Sequence, residues 1–139
     1  MTVKIINPLP KVHVAVGVII DRDNRILISK RHNHLHMGGR WEFPGGKLDD
    51  EEDVQGALAR ELLEELSIEV RASAPLIVVE HDYGEKVVLL DVWWVHDFAG
   101  EPHGAEGQEV RWVSVEELGD YQFPDANTPI VEAVRKALS

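Results

Sequence analysis

An α/β fold of the α+β kind, with helices laid against a β-sheet, is predicted by three observations on this sequence. Residues 12–20, VHVAVGVII, are β-branched and almost continuously apolar, the pattern of a central strand buried on both faces. Residues 86–96, KVVLLDVWWVH, repeat that character late in the chain. Between them, Val54, Leu58, Leu62 and Leu66 recur at helical spacing and form one apolar stripe, so a mid-chain helix has a face to lay on a sheet. No stretch reads as a linker, an internal repeat or a low-complexity tract. With 139 residues to build an ordinary core, residues 1–139 are expected to form one domain.

The remaining elements follow in order. Residues 1–10 read either as a tail or as an added edge strand. Asp21 to Asn24 form a turn, and Arg25 to Ser29 return as a second strand. Residues 31–40, RHNHLHMGGR, are a polar loop, and Trp41-Glu42-Phe43 is a short extended piece held by Pro44. Gly45-Gly46 makes a bend. Asp49 or Asp50 is the expected helix cap, with Glu51, Glu52 and Asp53 favourable in the first turn, and the helix should stop near Leu66. Gly56 within it costs ~1 kcal/mol against Ala, which suggests close packing at that point. Ile68 to Val79 and Lys86 to His96 are strands joined by a turn at Asp82 to Glu85, and residues 98–108 are a Gly-rich loop. Glu109 to Val113 is a short strand, Ser114 to Glu117 a capping box, and Thr128-Pro129 opens a last helix.

Composition narrows the function. A chain that is 44% apolar and 28% charged is globular, and no apolar run approaches the ~20 residues of a membrane span. The N-terminus lacks the pattern of a signal peptide, and without cysteine there is neither a disulfide framework nor a thiolate metal site. The expected location is the cytoplasm. A net charge of −11 argues against a partner such as duplex nucleic acid, which selects a basic face. A small phosphate ester remains compatible, provided that metal ions and a few local cations receive it.

The acidic residues are not all surface. On a helix, Glu61, Glu64 and Glu65 fall within an arc of roughly 100°, beside the apolar stripe and with no lysine among them. Like charges so placed repel. Carboxylates at the edge of a core need a counter-charge, and a hard divalent cation with oxygen ligands is the obvious one. The alternative is an amphipathic surface helix whose acids are merely solvated.

Residues 46–68 run Gly46, five residues, Glu52, seven residues, Arg60-Glu61-Leu62-x-Glu64-Glu65-x-Ser67-Ile68. This resembles the box of the Nudix hydrolase family, G-x5-E-x7-R-E-U-x-E-E-x-G-U with U aliphatic. Only the last glycine departs, standing here as Ser67 at the helix C-terminus, where Gly would relieve a left-handed strain. The resemblance implies a Nudix α/β/α sandwich with a central mixed sheet, and hydrolysis of a nucleoside diphosphate linked to another group. It implies Mg²⁺, with Mn²⁺ able to substitute, held by Glu61, Glu64, Glu65 and the carbonyl of Gly45. Glu52 and Arg60 would support these ligands, Arg60 through its planar fork. The general base would be either Glu61 or a glutamate from a later loop, for which Glu106 in AEGQE is the candidate, as base or as metal ligand.

Outside the box, WEFPGGK at 41–47, Arg31 and FPDANTPI at 123–130 are similar to the MutT-type 8-oxo-dGTP diphosphatases within that family. This likeness implies that Asn127 hydrogen-bonds a purine, since an amide offers donor and acceptor together; its other reading is a cap of the last helix. Arg31 and Glu42 would contact the substrate, and Phe43, Trp41 or Phe123 would supply apolar walls. His32, His34 and His36 alternate as a transition-metal site might, but no carboxylate accompanies them, and a polar loop explains them more simply. Trp93 and Trp94 should point to opposite faces of their strand.

These observations predict a Mg²⁺-dependent nucleoside triphosphate diphosphatase of MutT type, a monomer or homodimer acting on a small nucleotide. It would release a nucleoside monophosphate and pyrophosphate from oxidised purine dNTPs, chiefly 8-oxo-dGTP. The rival enzyme is a pyrophosphohydrolase of broader or pyrimidine preference, such as for CTP. The rival of another class is a module that senses a nucleotide without cleaving it.

Overall fold

The computed structural model describes residues 11–32 and 38–139. Seven strands and two helices follow one another as β1 (Lys11–Ile19), β2 (Ile26–Lys30), β3 (Trp41–Glu42), β4 (Gly45–Lys47), α1 (Val54–Leu66), β5 (Glu69–Asp82), β6 (Val87–Ala99), β7 (Val110–Val113) and α2 (Thr128–Leu138). The strands form two sheets. A mixed four-stranded sheet has the order β4-β1-β6-β5, and a three-stranded one the order β3-β2-β7. β1 and β6 pair in parallel, from Lys11 opposite Val87 to Ile19 opposite Val95, while β4 and β5 flank them antiparallel.

The central pair is apolar on both faces because both faces are covered. Ala15 and Ile19 of β1, with Val95 and Trp93 of β6, pack against Ala57, Leu58, Leu62 and Leu66 of α1. Val16 and Val18, with Leu90, Val92 and Trp94, belong to the opposite core, where Ile130 and Val134 of α2 are buried. Trp93 and Trp94 thus lie on opposite faces, as strand alternation requires. This is the expected sandwich.

Two local expectations are corrected. The cap of α1 is Asp53, not Asp49 or Asp50: its Oδ1 accepts the Gly56 amide at 2.7 Å. Glu51 and Glu52 therefore precede the helix, and its first turn holds no acidic residue. Gly56 is exposed, and its close neighbour is that cap and no second element, since a Cβ there would stand 2.8 Å from Asp53 Oδ1. At the other end Ser67 is left-handed, with φ 59° and ψ 37°, and its amide donates to the Leu63 carbonyl. The capping box forms as expected. The Ser114 amide donates to Glu117 Oε1 at 2.9 Å, the Glu117 amide to Ser114 Oγ at 3.2 Å, and a 3₁₀ turn over Glu116–Asp120 follows. Residues 1–10, His34 and His36 lie outside the described residues.

Candidate functional site

Arg60 is the hub of the acidic helix. Its guanidinium grips Glu52 through two bonds of 2.9 Å and reaches the Lys47 carbonyl at 3.0 Å, tying α1 to the end of β4. Its Nη1 donates to Glu61 at 3.0 Å and lies 3.5 Å from Glu64. No lysine stands among these glutamates, and Arg60 supplies the cation, folding back over its own helix. Held this way, Glu52 sits well below the usual carboxylate range, at about 2, chiefly because of the Arg60 hydrogen bond.

Glu65 is the residue that Arg60 leaves uncompensated. Burial, then a hydrogen bond and charge from Glu61, then the charges of Glu42 and Glu106 push its carboxyl up to about 9. Four glutamates from α1, β3 and the β6–β7 loop thus share one electrostatic neighbourhood. Among the described residues, though, no three His, Asp or Glu side chains are drawn tightly enough to grip a cation; Glu61 and Glu64 lean on Arg60 instead. The donor set itself fits a hard divalent ion, being all oxygen and including at Glu65 a buried carboxyl whose ionisation a cation would favour.

The glycine pair brings this helix to a cleft. β4 pairs with β1 so closely that a Cβ on Gly45, whose φ is 159°, would collide with the Ala15 carbonyl, and one on Gly46 would collide with the Glu61 carboxylate. On the other side of the pair, Gly45, Gly46 and Lys47 border a cleft of about 630 Å³. Arg31, Glu42, Phe43 and Asn127 all line it. Arg31 Nη1 donates to Glu42 Oε1 at 3.0 Å, and burial raises the Glu42 carboxyl, partly offset by that arginine. Phe43 is buried and stacked on Phe123, with centroids 5.2 Å apart. Asn127 precedes α2 but makes no capping hydrogen bond with its side chain, so its amide is not committed to the helix end.

Some candidates fall elsewhere. Trp41 is buried edge-on against Tyr121 and under the Arg111 guanidinium, as core. Neither Trp93 nor Trp94 lines the cleft, and Trp93 Nε1 donates instead to Asp91. His32 is exposed, and no metal cluster forms around it among the described residues. Conversely, the residue-level reading missed Tyr83, Glu85 and Lys86 in the β5–β6 turn, and Lys47 beside the glycines, all of which line the cleft. A lysine or tyrosine in a turn has no periodicity to betray it. Only the parallel pairing of β1 with β6, which carries this hairpin to the mouth of the cleft, shows its use.

A second cleft of about 430 Å³ is lined by Arg40, Tyr121, Glu132 and Arg135 among others; Glu61, Glu64, Glu65 and Glu106 line neither cleft.

Known proteins resemble this chain in sequence and in fold. The chain is 34% identical to the 8-oxo-dGTP diphosphatase of Escherichia coli K12 across 92% of its own length and 99% of that relative. It is 36% identical to the CTP pyrophosphohydrolase of the same organism, over 85% of its own length and 87% of that protein's. It is also 36% identical to the 8-oxo-dGTP diphosphatase of Haemophilus influenzae, over 86% of its own length and 88% of that relative's. Among solved structures it superposes on MutT from a study of Aliivibrio salmonicida and Vibrio cholerae with a TM-score of 0.82 and 38% identity, covering 92% of this chain and 99% of that one. The NUDIX domain family matches residues 15–133, which take in the glutamate helix, the cleft and Asn127, and the chain belongs to that family.

Proposed function

We propose that this protein is a nucleoside triphosphate diphosphatase that cleaves oxidised purine dNTPs, 8-oxo-dGTP foremost, to the monophosphate and pyrophosphate in the cytoplasm. The single observation that carries the reading is the junction at Gly45-Gly46: the glycines line a cleft shared with Asn127, whose side chain does not cap α2, and there meet the Glu61 carboxylate of α1.

Nudix hydrolases generally use a divalent metal, and Mg²⁺ is the ion we assign here, with Mn²⁺ as a substitute. Glu61, Glu64, Glu65, Glu106 and the Gly45 carbonyl would hold it. Bound there, such an ion neutralises phosphate charge and polarises a phosphoryl oxygen. The chain's own groups do the rest. Asn127 reads the base edge, presenting donor and acceptor to adjacent groups of an oxidised purine. Phe43, backed by Phe123, gives the base an apolar wall. Arg31 and Glu42 sit as a pair at the side of the cleft, and Lys47 and Lys86 offer positive charge to phosphates within an otherwise acidic protein. Arg60 keeps Glu61 in place, and Glu61 or Glu106 takes the proton of the attacking water.

A pyrimidine-preferring pyrophosphohydrolase is the second reading, favoured by the similarity to the CTP enzyme. The purified protein, assayed with Mg²⁺ against canonical and oxidised nucleotides, separates the two. Preferred turnover of 8-oxo-dGTP supports the first reading; equal or better turnover of CTP overturns it while leaving the chemistry intact. A pure sensor is excluded by any turnover that Glu61→Gln abolishes.

A further inference from the structure

Gln108 makes contacts that the roles given to Glu61, Glu65 and Glu106 do not use. It is half-buried in the loop between β6 and β7, and its side-chain amide works in two directions. Nε2 donates to the Glu65 backbone carbonyl at 2.9 Å, and Oε1 accepts the Glu106 amide at 3.0 Å. The neighbouring backbone joins in. Ala105 N donates to the same Glu65 carbonyl at 3.0 Å, and His103 N to the Leu66 carbonyl at 3.2 Å. Carbonyls in the last turn of a helix lack partners within it, so the loop caps α1 from a distance. A primary amide supplies both the donor and the acceptor that this junction needs. Gly104 leaves it room: a Cβ there would collide with the Gln108 carbonyl and stand 3.2 Å from its Oε1.

We propose that Gln108 is a positioning residue, clamping the Glu106 amide to the turn of α1 that carries Glu65 and so fixing where the Glu106 carboxylate stands relative to Glu61 and Glu65. This rests on the reading of Glu106 as metal ligand or base. Ala105 and His103 tether the loop to the end of α1 by their own amides, and Gln108 extends that attachment to the Glu106 amide itself.

The test compares Gln108→Ala, Gln108→Glu, which keeps the acceptor and loses the donor, Glu106→Gln, and the Glu106→Gln/Gln108→Ala double variant. Measured quantities are kcat and KM, Mn²⁺ affinity by electron paramagnetic resonance without nucleotide, and hydrogen exchange at the Ala105 and Glu106 amides. Both Gln108 variants are expected to lose about tenfold in kcat or in Mn²⁺ affinity, with KM within about twofold, because groups that orient ligands have effects of that order. Exchange at the two amides should quicken, and the double variant should be no worse than Glu106→Gln. Unchanged exchange at these amides overturns the inference whatever Glu106 does. So does a double variant that falls by the product of the single losses, since Gln108 would then act through another group. Full activity and full Mn²⁺ affinity in Glu106→Gln, by contrast, would overturn the role given to Glu106 itself. A variant that loses only thermal stability, with turnover and Mn²⁺ affinity intact, reduces Gln108 to a helix cap and also overturns the inference.

Discussion

Asn127 and Gly46 allow the proposed recognition and the proposed chemistry to be tested apart, at the scale of single residues. Asn127→Ala removes the amide at the end of the cleft without disturbing a helix cap, since the side chain makes none. Turnover of 8-oxo-dGTP should fall by about 10²-fold or more relative to CTP, as expected when a base-reading hydrogen-bond pair is lost. A uniform loss across nucleotides in the same assay would favour the pyrimidine reading. Gly46→Ala should act on the other half of the site. Its Cβ runs into the Glu61 carboxylate, and a displacement near 1 Å at a reacting group costs on the order of 10²-fold. The expected signature is a loss of kcat on every nucleotide, with KM little changed.

At the scale of elements, α1 shows what periodicity can and cannot predict. Its stripe, its end near Leu66 and the grouping of its glutamates were legible because a 3.6-residue repeat is written in residue types. The cap was not. Asp49, Asp50 and Asp53 are chemically alike, and the choice fell to Asp53 because Glu52 and Asp49 are engaged by Arg60, which fastens the preceding turn to β4. A supporting place for Arg60 came from the family pattern, but its bonds to Glu52 and the Lys47 carbonyl were hidden, since a side chain's reach back over its own helix leaves no pattern in sequence. Ser67 makes a prediction at this scale. A serine held at φ 59° carries strain that glycine does not, so Ser67→Gly should raise unfolding free energy by about 0.5–1 kcal/mol in urea titration. The Arg60–Glu52 clasp predicts a pH dependence. Glu52 has a folded pKa near 2, below its ordinary 4.5, so its contribution is full above the unfolded value and is lost as pH falls from 4.5 towards 2. Glu52→Gln should flatten that limb of an acid unfolding curve.

For the whole molecule, the fold stores an imbalance of charge that a cation can relieve. Glu65 has its folded pKa raised to about 9, so without metal the folded state holds a proton that the unfolded state releases near 4.5. The Glu65 contribution to stability should therefore be full below 4.5 and decline as pH rises towards 9. Thermal melts in chelator should show the midpoint falling between pH 5 and pH 8. Mg²⁺ should raise the midpoint more at pH 8 than at pH 5, and Glu65→Gln should remove both effects. A metal gain that is equal at the two pH values would contradict this assignment. The sandwich itself was legible from two apolar strands and one striped helix. The cleft was legible only at the residues tied to a family pattern, because the β5–β6 turn reaches it through strand pairing that no local signal encodes.

That pairing has a consequence for how the molecule comes into being. His13 and Asp91 meet at 2.9 Å although 78 residues separate them along the chain, and the cleft draws Val14 and Val16 from one strand and Val88 and Leu90 from the other. Contacts of such long range form late and slowly. On the ribosome, which releases the chain from its N-terminus, the glutamate helix emerges well before β6 exists to complete the wall. The glutamate helix is thus synthesised without the cleft beside it, whose walls are complete only once β6 has slotted in beside β1 and Asn127 has followed.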